Sequence, residues 1–301
     1  MKPTITGFFD QNGKLTFDEQ IALAMKHKIE TICLRAYNKR PIIELSDGDL
    51  KQIISTTKDA KIKIGMIDTN IMSYDLYDEK KYKDALDEFK YMIKVADKLK
   101  ATHLTFRLPI FNEVIKEYDA LEKRLDPFID AAMRNSKKII LLPVQEYKAS
   151  VYAFIMKKLK SNVVSVAFDP VHILMNNEST TTAYRLLKKK IGLFMAIDAD
   201  LGRKPKLIGY GKTDVHELLK KLFRDKFDGF ISVDNQFSET IFDDEPKKTG
   251  FLKSIFSNEQ KKKNDTLTDL SKKIFPNEET KNVTYDDILT NQLKVLHLLF
   301  K

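Results

Sequence analysis

Eight short apolar runs, rich in β-formers, alternate along this chain with longer amphipathic stretches. They recur roughly every 30 residues, the length of a strand–helix–strand unit. The runs are Thr4–Phe9, Thr31–Arg35, Ile62–Ile67, His103–Leu108, Lys138–Val144, Val163–Phe168, Leu193–Ile197 and Phe230–Val233. Most are nearly continuous in apolar residues instead of alternating, as strands are when both sheet faces are covered. The stretches between them have helical spacing. Lys80–Leu99 carries Leu86, Phe89, Met92, Ile93 and Ala96 on one stripe, and Ser46 with Asp49 forms an acidic capping box ahead of a helix to Lys58. Other helices fit Asp18–His27, Leu121–Asn135, Ser150–Leu159, Thr181–Lys189 and Val215–Phe223. Right-handed crossovers in series close eight such units into a (β/α)8 TIM barrel. A doubly wound open sheet is the alternative, but no glycine-rich phosphate loop follows the first strand.

The rhythm changes after Asp234. A segment from Ser238 to Thr284, rich in Lys, Asp, Asn and Glu, reads as an insertion or lid after strand eight. Within it, Phe251–Phe256 and Leu267–Ile274 predict short helices, and Tyr285–Phe300 predicts the closing helix. We expect one domain over residues 1–301. No run of about 20 apolar residues offers a membrane span. The single cysteine, Cys33, has no partner for an intramolecular disulfide, so we expect a cytoplasmic setting. The net charge is +9. The lysines are dispersed over nearly every helix among Asp and Glu, which predicts solvated helix faces. Neither nucleic acid nor membrane is expected as a partner; a homo-oligomer is left open.

In a barrel the C-terminal strand ends build the site. In order, those ends hold Asp10; Arg35 and Tyr37; Asp68 and Asn70; Arg107; Gln145 and Glu146; Asp169 and His172; Asp198 and Asp200; and Asp234, Asn235 and Gln236. Such a ring suits a small polar ligand, or a divalent cation held by oxygens. Asp10, Asp68 and Asp200 are the ring members most open to a helix-capping role, and Glu146 could cap the helix beginning near Ser150.

Three segments carry a family likeness: Val166-Ala167-Phe168-Asp169-Pro170-Val171-His172; Phe194 to Asp200 with Ile208 to Asp214; and Phe227-Asp228-Gly229-Phe230-Ile231-Ser232-Val233-Asp234. In order and spacing they resemble the xylose isomerase-like barrels, a superfamily of sugar phosphate isomerases and epimerases that also contains endonuclease IV. The likeness runs from about Thr4 to Asp234. It implies one divalent cation, held by acidic and histidine ligands on strands five to eight, and proton transfer beside a carbonyl.

Carried over, the resemblance makes Asp169 and Asp234 the metal ligands, Glu146 or Asp234 the base, and Arg35, Arg107, His172 and Arg203 the groups that hold hydroxyls or a phosphate. The match has gaps. Met195 stands where the strand-seven metal histidine would be, and the strand-five glutamate aligns near Pro143. Asp234 is a methylene shorter than the strand-eight glutamate it replaces. The cofactor expected is therefore weakly held Mg²⁺ or Mn²⁺, or none. Two functions follow: an isomerase or epimerase homologue for a sugar or sugar phosphate, or a catalytically silent sugar-binding or regulatory barrel. The histidine-rich three-metal site of endonuclease IV is not expected, because of five histidines only His172 sits at the C-terminal end of a strand, His103 beginning strand four at the other end of the barrel.

Overall fold

Parallel strands hydrogen-bonded in sequence order make the frame. In the computed structural model, which describes residues 2–233, 237, 267–278 and 281–300, these are β1 Thr4–Thr6, β2 Thr31–Leu34, β3 Lys63–Ile67, β4 His103–Arg107, β5 Lys138–Leu142, β6 Val164–Phe168, β7 Ile191–Met195 and β8 Phe230–Ser232. Each pairs in parallel with the next from β2 to β8, and β8 pairs back to β1 in the register Thr4↔Phe230. The two ends of the sheet meet at one bridge, Phe8↔Cys33, where the Cys33 N–H donates to the Gly7 carbonyl at 3.0 Å. The ring is thus a TIM barrel. Two register shifts, at Ile32/Cys33 and Val166/Ala167, interrupt it.

Helices cover the outside: α1 Phe17–Lys26, α2 Asp47–Asp59, α3 Glu79–Lys98, α4 Val114–Arg134, α5 Ala149–Leu159, α6 Pro170–Met175, α7 Thr180–Leu187, α8 Val215–Arg224 and α9 Tyr285–Phe300. A further helix spans 267–274. None among the described residues is long and apolar enough to cross a membrane. Capping boxes start α1 (Thr16 with Glu19) and α2 (Ser46 with Asp49). Helix α4 begins seven residues before the expected Leu121 and tolerates Pro127 in its interior. Strand β7 begins two residues earlier than expected, because Gly192 reads poorly as a strand residue yet packs against the Ser165 side chain of β6, where a Cβ would collide. The expected helix near Phe251–Phe256 lies outside the described residues.

Alternation along the strands splits the core in two. Cys33, Met66, Ile140, Leu142, Ala167 and Leu193 form one small cluster with Phe8, the barrel interior. Their neighbours in sequence, such as Leu34, Leu141, Phe168 and Phe194, join the larger layer between strands and helices. Burial pushes the Cys33 thiol up to about 12, against a hydrogen bond with the Thr6 hydroxyl at 3.4 Å. Phe168 and Phe194 stack at 5.6 Å and 9° in the outer layer, both fully buried. We predict that Phe194→Ala lowers the free energy of unfolding in urea by about 3–5 kcal/mol, the usual cost of an aromatic cavity.

Candidate functional site

The strand-end polar ring divides into two unlike halves. Over β1 to β3 it is paired with itself. Arg35 reaches Asp10 through Nη2 (2.6 Å) and Nε (3.3 Å), so the charge predicted for ligand binding is neutralised by a buried carboxylate. Asp68, also buried, accepts from the Thr105 hydroxyl at 2.7 Å and the Asn70 N–H at 3.0 Å. It lies 3.8 Å from Arg107 Nη1 and so holds that guanidinium at the boundary of the second half. Asp10 and Asp68 therefore cap no helix. Asp200 serves a turn, accepting from the N–H groups of Gly202 and Lys204.

Over β4 to β7 the ring opens into a cleft of about 550 Å³. Four predicted residues converge there: Arg107, Asp169, His172 and Arg203. Gln145, Met175 and Asn176 join them in the lining, as do Pro143 and Met195. Asp169 ends β6 and caps α6: its Oδ1 accepts from Val171 N (2.8 Å) and His172 N (3.0 Å). Burial raises its carboxyl above the usual Asp range, against those same N–H groups, which favour the charged form. His172 Nε2 lies 3.0 Å from both the Tyr147 carbonyl and Asn176 Nδ2; it donates to the first in one tautomer or accepts from the second in the other, and Nδ1 makes neither contact. Asn176 went unread in the sequence, although it lies one helical turn beyond His172. Arg203 is exposed, and its side chain donates from Nε to the Met175 thioether at 3.1 Å, a weak acceptor.

Arg35 and Glu146 are not among the cleft residues. Glu146 sits exposed on the turn after β5. The carboxylate that meets the start of α5 belongs to Glu178, which accepts from the Ala149 N–H at 3.0 Å. Asp234, with Asn235 and Gln236, lies outside the described residues.

Asp198 has a different task from the ligand-facing one its strand end suggested. It is buried and accepts five hydrogen bonds: Oδ1 from Ala199 N, Thr213 N and the Thr213 hydroxyl, Oδ2 from Gly209 N and Gly211 N. This carboxylate gathers the loop after β7 into a nest. Gly209 needs its positive φ of +89° there, and any Cβ on Gly211 would strike Asp198 itself.

The donors among the described residues do not make up a divalent-cation site. Among the described residues no three His, Cys, Asp or Glu side chains come together. The cleft pairs one carboxylate and one imidazole with a proline, a thioether and two guanidinium groups, whereas hard cations require several oxygens.

A family model described as xylose isomerase-like TIM barrel matches residues 21–254. The chain belongs to that family. No curated protein sequence matches it. Among solved structures, one titled L-ribulose 3-epimerase superimposes with a TM-score of 0.68 at 12% identity, covering 100% of this chain and 95% of that one. The IolI protein with a bound zinc atom gives 0.65 at 20% identity, covering 77% and 88%. A D-psicose 3-epimerase with D-tagatose, from Clostridium cellulolyticum, gives 0.62 at 15% identity, covering 78% and 84%. At these identities the likeness is one of fold.

Two predictions follow from the carboxylates. Asp198→Ala leaves buried N–H groups unpaired and should cost about 2–4 kcal/mol, with amide exchange rising across 209–213 in mass spectrometry. Asp169 has its folded pKa raised. Its contribution therefore favours the fold at low pH and is lost as pH rises through the folded value. Asp169→Asn keeps an oxygen to cap α6 and cannot ionise. Its urea midpoint should match or exceed wild type at neutral pH and fall relative to wild type in acid.

Proposed function

We propose that the strand-end cleft binds a small sugar or sugar phosphate, recognised by charged hydrogen bonds without a resident metal. One observation carries this reading: Arg107 and Arg203 line the same cleft as His172 and Asp169. The volume suits a ligand the size of a monosaccharide phosphate. The two guanidinium groups offer planar forks to a phosphate or carboxylate, and Asp68 orients one of them. Gln145, Asn176 and His172, which line the same cleft, would take hydroxyls. The buried Cys33 agrees with a reducing, cytoplasmic setting.

A second reading keeps isomerase or epimerase chemistry. It is favoured by Asp169, whose burial holds it toward the protonated form needed of an acid at a carbonyl oxygen. The base would be Asp234, next in sequence after Val233, since Glu146 stands apart from the cleft.

Calorimetry with a ketose and its phosphate tests the first reading. The phosphate should bind more tightly, and Arg107→Ala or Arg203→Ala should each raise its Kd about tenfold or more. Equal binding of both sugars by wild type and variants would rule out the arginine site. Incubation in deuterium oxide, followed by NMR of the ligand, tests the second. Deuterium appearing beside the carbonyl, and lost in Asp169→Asn, establishes proton transfer; binding with no exchange excludes it.

A further inference from the structure

At the end of the barrel opposite the cleft, the fold collects onto one face lysines that the sequence disperses. Seven segments lead from the last four residues of a helix (α1 to α5, α7, α8) to the first residue of the next strand. Together they hold twenty Lys and Arg against five Asp and Glu, and two carboxylates from outside them, Asp286 and Asp47, pair with Lys26 and Lys98. The whole chain has 52 against 43, so the remainder is net acidic and the basic charge is polarised onto this face.

Cations near helix C-termini complement the helix dipole, which accounts for some of them. It does not account for the loops. Lys28, Lys61, Lys100, Lys160 and Lys226 each occupy the left-handed residue after a helix, with φ between 45° and 56°. Glycine or asparagine takes that conformation more readily, so a lysine there costs stability, of order 1 kcal/mol. The choice is repeated in five loops. All five side chains are exposed, and none has a carboxylate within ion-pair distance among the described residues.

Large apolar side chains stand among these cations. Met25, Met133, Leu186 and Phe223, each in the last turn of its helix, are more than half exposed. A cavity of about 600 Å³ opens on the same face, with Lys58, Lys63 and Lys100 around a floor that includes Ile64 and Phe230, and with Lys98, which is paired to Asp47 at 2.7 Å, beside them.

We propose that this face docks on an anionic membrane surface, with a phosphate-bearing lipid headgroup seated in the lysine-rimmed cavity and the apolar side chains reaching the acyl boundary. Lysine ammonium groups dispersed around a ring, with methionine, leucine and phenylalanine between them, suit a flat anionic layer. Sequence-reading of double-stranded nucleic acid favours arginine forks, and arginine is a small minority of these cations; the exposed apolar side chains among them have no use on a phosphate backbone, so duplex DNA serves as the competitor in the vesicle test.

Vesicle flotation of the full chain tests this, using phosphatidylcholine alone and phosphatidylcholine mixed with phosphatidylglycerol. Binding should occur only to the mixed vesicles and fall steeply with added salt. Asparagine adopts the left-handed conformation more readily, so replacing Lys28, Lys61, Lys100, Lys160 and Lys226 together by Asn should keep or raise thermal stability and weaken binding at least tenfold. Lys80→Asn with Lys116→Asn, at helix starts on the other end of the barrel, should change nothing. Leu186→Ser with Met25→Ser should release the protein at a lower salt concentration than wild type. The proposal is overturned by absence of binding to mixed vesicles, by undiminished binding of the five-lysine variant, or by duplex DNA displacing the protein from vesicles at equal phosphate concentration.

Discussion

Closure of one parallel ladder is the constraint from which everything else in this molecule descends. Because β8 pairs back to β1, and β1 meets β2 at Phe8 and Cys33, every strand points the same way around a ring. Every intervening helix must then return in the opposite sense. The molecule acquires two chemically distinct ends without further instruction. Strand C-termini and helix N-termini meet at one, strand N-termini and helix C-termini at the other. Residues hundreds of positions apart share an end simply by having the same phase in the repeat.

At the first end, neutralisation decides which polar groups remain for a ligand. Asp10 satisfies Arg35, and Asp198 is consumed by the loop it organises. Both carboxylates stabilise the rim because each is hydrogen-bonded while buried; left unpaired, either would carry a large desolvation cost. Among the described residues, what stays available lies over β4 to β7, where Arg107 is only loosely held by Asp68 at 3.8 Å and Arg203 has a thioether for a partner. The asymmetry of the mouth follows from pairing, not from composition.

Much of the fold was legible in the residues because burial on both faces leaves a direct mark on a strand, and helix starts announce themselves through caps such as Ser46 with Asp49. Site residues were legible only to the level of strand phase. Asp169 and His172 follow β6 directly and reach the cleft. Arg35 has the same strand-end phase, but its charge is spent on Asp10, a partner 25 residues away that no local pattern names. Glu146 lies three residues beyond Pro143, which itself lines the cleft; the turn after β5 carries the glutamate outward. The gathering of lysines at one end was illegible for the opposite reason. Read along the chain they look like ordinary solvated helix faces. The repeat length brings their loop positions into phase, so their concentration exists only in the closed barrel.

The sign of the field in the described lining favours an anion over a cation. A divalent cation requires carboxylates that outweigh the cost of its dehydration. Met195 and Pro143 present no negative charge at their positions, while Arg107 and Arg203 add two positive charges to the same lining. At separations of a few ångströms, like charges repel by roughly a few kcal/mol even at intermediate dielectric. A cation entering this cleft would meet that repulsion with Asp169 as its one described carboxylate, and half of that group's capacity already serves α6. The same field attracts an anion. The proposed ligand, bearing its own phosphate or carboxylate, is of the sign that this described lining holds.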